Sequence, residues 1–274
     1  MTTATLTPTA SSTPALASDR PVHAIEIRYL DPASVSCPDL LQTMHGWLDP
    51  TEQDRFKRFV RPADQHQFLI SHALLRCVLG QRLGCAPRKV RFSYTERNKP
   101  VIDLRGGQAL GQPLDEPPLH FNLSHTQNMA VVALAQAPVG VDTEWLGRCA
   151  PAHDLAARYF TPSECRDIQN RSPEQSQRHF LGYWTLKEAF LKAEGWGIVD
   201  RLDSFEFELS PHTAWPPARI RLRVRQALSL PTRPWRFYQW HIEPDHLVSL
   251  AACARQTQDQ TPDIRCWQAH EWLR

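Results

Sequence analysis

The amino-acid sequence predicts an α+β protein made of two similar halves, each a small sheet packed with helices. Three observations carry that expectation. A strand, a proline-containing capping box and a helix occur in the same order twice: Asp49-Pro50, Glu52 and Phe68-Leu69 match Thr161-Pro162, Glu164 and Phe180-Leu181 at one constant offset. The opening strands, Ala24 to Leu30 and Val139 to Glu144, precede their capping boxes by similar distances. The apolar run Met129 to Ala135 is echoed by Leu247 to Ala254. A capping box alone is a common helix start; the equal spacing and the returning strand favour a duplication. The halves divide near Pro138, giving residues 22–138 and 139–274 after a disordered leader of residues 1–21. In a duplicated fold the cleft between halves is a natural ligand site. The repeat need not be chemically symmetric, since Arg76 corresponds to Glu188 at the shared offset.

The elements follow from local pattern. Val22 to Leu30 alternates well enough for a strand. Asp49 can cap a helix whose first turn holds Pro50 and whose capping box is closed by Glu52; that helix continues through Phe56 and Phe59. A second helix, Asp64 to Leu83, carries a broad apolar face from Phe68 to Leu79 and stops near Gly84. Short strands follow at Val90 to Tyr94 and Val101-Ile102, joined by a turn at Asn98-Lys99-Pro100. Arg105 to Pro118 is a Gly- and Pro-containing loop, and His120 to His125 is a strand ending in a polar tip. Met129 to Ala135 reads as a buried strand, Gln136 to Pro138 as a turn, and Val139 to Glu144 as a second strand. Thr161 and Glu164 form the second capping box, and Phe180-Leu181 opens a helix that runs to about Gly195.

Composition excludes several classes. With a net charge of +2 the 274-residue chain is too balanced for a nucleic-acid surface. No apolar run is long enough to cross a membrane. Seven cysteines with no CxxC pair and no zinc-ligand spacing suit free thiols in a reducing, cytoplasmic setting. The leader, Thr-, Ser-, Ala- and Pro-rich, lacks the basic and apolar regions of a signal peptide.

Two stretches carry the chemistry. In a strand, Asp142 and Glu144 point the same way, and two adjacent carboxylates repel unless a cation or a proton separates them. On the helix after Tyr183, Glu188 and Lys192 are four residues apart on one face, a spacing equally suited to a routine surface pair. Gly195 and Gly197 then end that helix. Alongside Asp142, Glu144 and Glu188 the chain offers Lys99, His125, Lys192 and a basic cluster of Arg55, Lys57, Arg58 and Arg61. Carboxylates for Mg²⁺ and cations for phosphate are the equipment of phosphoryl-type transfer from a diphosphate donor.

These stretches resemble the 4′-phosphopantetheinyl transferases of the surfactin-synthetase type. His120 to His125 matches the family's FNxSH, Gly140 to Glu144 its GxDxE, and Trp184 to Lys192 its WxxKEAxxK, in order and suitably spaced. Asn98-Lys99-Pro100 is similar to the family's Gly-Lys-Pro, with Asn in place of Gly. The resemblance implies a pseudodimer that moves the phosphopantetheine arm of coenzyme A to a serine of an acyl, peptidyl or aryl carrier protein; because both halves lie in one chain, a monomer is expected. The other product would be adenosine 3′,5′-bisphosphate. It implies Mg²⁺ held by Asp142, Glu144 and Glu188, with Glu188 also the base for the carrier serine, directly or through water. Lys192 and His125 would stabilise diphosphate charge, Ser124 and Lys99 would contact the nucleotide or its phosphates, and Arg55 and Arg61 would take the 3′-phosphate. Arg148, Arg158, Arg166 and Arg171 are candidate contacts for an acidic carrier helix. Hydrolysis of a nucleotide diphosphate and a coenzyme A-binding scaffold are the alternatives; neither requires carrier docking, and loss of a metal carboxylate would mark the scaffold.

Overall fold

The structure, a computed structural model, describes residues 24–103, 118–148, 150–196, 202–210, 216–217, 219–224, 233–254 and 263–269. The leader, most of the Gly- and Pro-containing loop, and Gly197 lie outside them. The chain divides into two compact units, each α+β.

The first unit begins with β1 (Ile25–Leu30), followed by α1 (Pro38–His45), α2 (Pro50–Arg58) and α3 (Pro62–Arg82). β2 (Phe92–Tyr94) and β3 (Pro100–Ile102) form a two-stranded ribbon, and β4 (His120–Thr126) and β5 (Met129–Ala135) a longer hairpin. The predicted capping box is formed: Glu52 N donates to Asp49 Oδ1 at 2.9 Å and Asp49 N donates to Glu52 Oε2 at 3.0 Å. β5 lies between β1 and β4, antiparallel to both, and is buried along its whole length. Both faces being covered explains why its sequence is a continuous apolar run. α3 packs against it through Phe68, Leu69, Leu75 and Leu79.

The second unit runs from β6 (Val139–Trp145) through α4 (Ala152–Tyr159), α5 (Pro162–Gln169), α6 (Pro173–Glu194), β7 (Phe205–Ser210), β8 (Arg219–Val224) and β9 (Trp235–Ile242) to β10 (His246–Cys253). β10 is the middle strand of a sheet ordered β6-β10-β9, and β7 and β8 form a separate hairpin. The box at Thr161 and Glu164 caps α5. α6 starts about two turns before the predicted Phe180, because Ser172 caps it and Pro173 fills its first turn. It ends where Gly195 adopts φ 72°, a left-handed geometry that glycine takes without steric cost. Phe190 anchors it against Phe205, Trp235 and Phe237.

The predicted division at residue 139 needs one correction. The last strand, β11 (Ile264–Gln268), pairs in parallel with β1 and so belongs to the first unit, not to the half that precedes it. Its pairing is the most non-local among the described strands, and five residues of mixed polarity carry no local sign of it.

Each unit buries one cation from its long helix against the capping glutamate. In the first, fully buried Arg76 donates to Glu52 Oε2 and Asp49 Oδ2, both at 2.7 Å, and to the Val90 carbonyl at 2.9 Å. In the second, fully buried Lys187 donates to the carbonyls of Leu202 and Phe205 at 2.6 and 2.7 Å and pairs with Glu164 at 2.9 Å. Removing one partner of a buried pair strands the other charge, at a cost of about 3–5 kcal/mol. Lys187→Met is expected to destabilise the protein by about that amount in urea unfolding; Lys187→Met with Glu164→Gln together should recover part of it.

Candidate active site

The site is built on β6 and α6. Gly140, Asp142 and Glu144 alternate on β6 and share one face. A Cβ on Gly140 would overlap the Ala189 carbonyl oxygen and lie 2.5 Å from Ala193 N, so the glycine is what lets α6 lie directly on the strand. That approach delivers the predicted partners. Lys192 Nζ reaches Asp142 Oδ1 at 2.5 Å, and Glu188 is buried close enough to Asp142 and Glu144 to feel both charges. Glu144 is paired at 2.6 Å with Arg148, one of the residues expected at a carrier surface.

Glu188 is the strained member. Burial, and then repulsion by Asp142 and Glu144 partly offset by Lys192, pushes its carboxyl up to about 7. Its Oε1 atom is buried with no hydrogen-bond partner. A buried carboxylate oxygen without a partner normally marks a ligand position or a cost. The capping cation of this unit sits one position earlier on the helix than its counterpart at Arg76, so Glu188 is not used for that anchor.

Whether these residues fit a divalent cation follows from the same geometry. Among the described residues no group of three or more His, Cys, Asp or Glu side chains is arranged as a ready-made metal cage. Mg²⁺ does not require one: it keeps several waters and is usually held by one or two carboxylates plus substrate phosphates. Three neighbouring carboxylates, one of them with an unsatisfied buried oxygen, fit that mode.

The other expected site residues lie in the first unit. Arg55 and Arg61 are exposed, Arg55 near the Phe68 ring and Arg61 at the N-cap of α3. Ser124 is buried near the end of β4, and His125 beside it is exposed. Lys99 follows Asn98, which takes φ 59° in a turn closed by Thr95 N donating to the Lys99 carbonyl at 3.0 Å. Asparagine is among the few residues that enter this left-handed region readily, which answers its replacement of glycine. Trp184 packs against Phe160 and Phe180, as a core residue does. Of the four arginines expected at a carrier surface, Arg158 and Arg166 are exposed. Arg171 is not well placed for that role, because it is mostly buried in a 2.8 Å pair with Asp167.

The sequence shows Gly140 in its motif but not its packing role, and does not show Arg148 as the partner of Glu144. The first was legible as a glycine two residues before a strand aspartate; the second depended on a turn after Trp145 that no local pattern announces.

Comparisons with known proteins identify the family. The model of the 4′-phosphopantetheinyl transferase superfamily matches residues 138–253, and the model of the N-terminal part of 4′-phosphopantetheinyl transferases matches residues 36–137. The chain is 38% identical over 172 residues to the 4′-phosphopantetheinyl transferase HetI of Nostoc sp., covering 62% of this chain and 69% of that protein. It is 30% identical over 235 residues to the 4′-phosphopantetheinyl transferase psf-1 of Bacillus pumilus, covering 86% and 90%. Against the 4′-phosphopantetheinyl transferase Sfp of Bacillus subtilis the identity is 29% over 165 residues, covering 60% and 67%. With both units matched and the three motifs in place, the chain belongs to the 4′-phosphopantetheinyl transferase family and is an enzyme of its Sfp type.

Proposed function

We propose that the protein transfers the 4′-phosphopantetheine arm of coenzyme A to a serine of an acyl, peptidyl or aryl carrier protein, with Mg²⁺, releasing adenosine 3′,5′-bisphosphate. The observation that carries the reading is the buried Glu188 carboxylate, with its unsatisfied oxygen, facing Asp142 and Glu144 beside Lys192 in a chain of this family. Asp142, Glu144 and Glu188 would hold the ion, which supplies neutralisation of the donor's diphosphate charge. Lys192 would release Asp142 and bind the diphosphate, with His125 as a second cation. In the first unit, Arg55, Arg61, Lys99 and Ser124 would bind the nucleotide and its phosphates.

The reaction forms a bond from the serine oxygen to the phosphorus that carries the pantetheine arm. The bond from that phosphorus to the bridging diphosphate oxygen breaks, and the bisphosphate leaves. The serine proton would pass to Glu188, directly or through water, its buried carboxylate being the base that α6 brings to the site. Two strand-and-helix units that each place an apolar strand beside the opening strand support the pseudodimer reading, and one chain carrying both supports a monomer. No described helix is long and apolar enough to cross a membrane, and we take the setting to be cytoplasmic.

The test is the intact mass of an apo carrier protein after incubation with the protein, coenzyme A and Mg²⁺. A gain equal to the phosphopantetheine arm is expected, and it should vanish with EDTA. Phosphopantetheine released with no carrier present would favour diphosphate hydrolysis. Tight coenzyme A binding without turnover on acyl, peptidyl and aryl carriers would favour a scaffold.

A further inference from the structure

Beneath the carboxylates lies a buried hydrogen-bonded set that the proposed chemistry does not use. Thr185 of α6 and Ser249 of β10 are fully buried, their hydroxyl oxygens 2.7 Å apart. Gln239 of β9 donates from Nε2 to Ser249 Oγ at 2.8 Å and to the Gly182 carbonyl at 3.1 Å. Thr185 Oγ1 lies 2.9 Å from the Leu181 carbonyl, which can only accept. Each hydroxyl has a single hydrogen, so one direction satisfies both hydroxyls: Gln239 donates to Ser249, Ser249 to Thr185, and Thr185 to Leu181, while Gln239 Oε1 is buried without a partner.

The placement of this chain is what gives it a use. Ser249 is the Cα partner of Asp142 across the β6–β10 ladder, so the two side chains stand together on the face that receives α6. Thr185 precedes Glu188 by three residues, one turn away on the same side of α6. The hydroxyl contact therefore ties the strand neighbour of one carboxylate to the helix neighbour of another. It does so where like charges on β6 and α6 oppose the packing. Breaking the hydroxyl contact would leave buried polar atoms without partners, so it resists displacement of α6 from β10.

We infer that Thr185, Ser249 and Gln239 are positioning residues that fix Glu188 over Asp142 and thereby set the site's affinity for a divalent cation. The inference rests on the reading that these carboxylates hold the ion. Its consequence is that removing one hydroxyl weakens cation binding without touching a ligand. Changes to groups that orient metal ligands typically cost 10–100-fold in metal affinity.

The test is Mn²⁺ binding, followed by electron paramagnetic resonance, to the protein with coenzyme A and no carrier. Thr185→Val keeps the branched shape and Ser249→Ala removes one oxygen. Each is expected to raise the Mn²⁺ dissociation constant about tenfold, the double variant by much less than the product of the two, and Thr185→Ser is expected to restore wild-type affinity. Ser249→Ala and Gln239→Leu keep the test open if Thr185→Val fails to fold. Variants with lowered thermal midpoints and Mn²⁺ affinity within twofold of wild type would overturn the inference, leaving the network as core glue. Glu188→Gln separates the two readings. If it leaves Mn²⁺ affinity unchanged, the carboxylate assignment falls; if it abolishes binding while Thr185→Val does not weaken it, only the positioning role falls.

Discussion

Glu188→Gln is expected to lower carrier modification by about 10³-fold, roughly 4 kcal/mol in the barrier, while making the metal-free protein more stable at pH 8. The two effects share one cause. The Glu188 carboxyl is raised from 4.5 to about 7 in the folded protein. Below pH 4.5 both folded and unfolded chains hold its proton. Between 4.5 and 7 the folded chain keeps a proton that the unfolded chain has released, so stability falls as pH rises through this window and stays lost above it. That rise in pKa corresponds to about 3 kcal/mol. Glutamine cannot ionise and escapes that loss. Urea unfolding at pH 5 and pH 8 should show wild type losing stability between the two and Glu188→Gln losing less. Added Mg²⁺ should restore stability to wild type only, by binding the ionised form. Mg²⁺ bound to these carboxylates favours their ionised forms, so the acid-side fall in transfer rate should move to lower pH as Mg²⁺ is raised. A variant no more stable than wild type at pH 8 would mean that Glu188 is not held under charge repulsion.

Gly140→Ala is expected to be the most damaging single-methyl change in the second unit. The added carbon would collide with the Ala189 carbonyl and the Ala193 backbone, which are helix main chain and cannot swing aside as a flexible side chain would. α6 must move off β6. Overpacking of this kind costs about 1–3 kcal/mol, read by urea unfolding. The loss in function should be larger, because Glu188 and Lys192 move with the helix and a displacement of about 1 Å can cost 10²-fold in rate. A fall in transfer of that size, with coenzyme A affinity changed much less, would identify misplacement of α6. Near-normal transfer would show that the helix does not need that proximity.

How far the sequence reveals this molecule depends on the range of each interaction. Both capping boxes are visible because their partners are three residues apart, and β5 because both its faces are covered. Asp142, Glu144, Glu188 and Lys192 converge because strand alternation and helical spacing each fix a face, and the motifs supply the pairing of those faces. The sequence predicts a late start for α6 because residues 173–179 are largely polar and lack the apolar period that marks the rest of the helix. β7, β8, β9 and β11 went unread. β8 alternates arginines with apolar residues, but such a pattern names no partner. The Thr185–Ser249–Gln239 chain joins three elements through side chains that would each look unremarkable in sequence.

The parallel pairing of β11 with β1 also sets an order of assembly during translation. At about 5–20 residues per second the ribosome needs roughly 10 to 50 s to pass from Ile25 to Ile264. Once β5 has been made, β1 has it on one side and keeps an open hydrogen-bonding edge on the other, the kind of edge that recruits wrong strands. The whole second unit, with Asp142, Glu144 and Glu188, emerges before that edge can close. A nascent chain therefore holds its carboxylate cluster complete while its earliest strand still waits for its latest one.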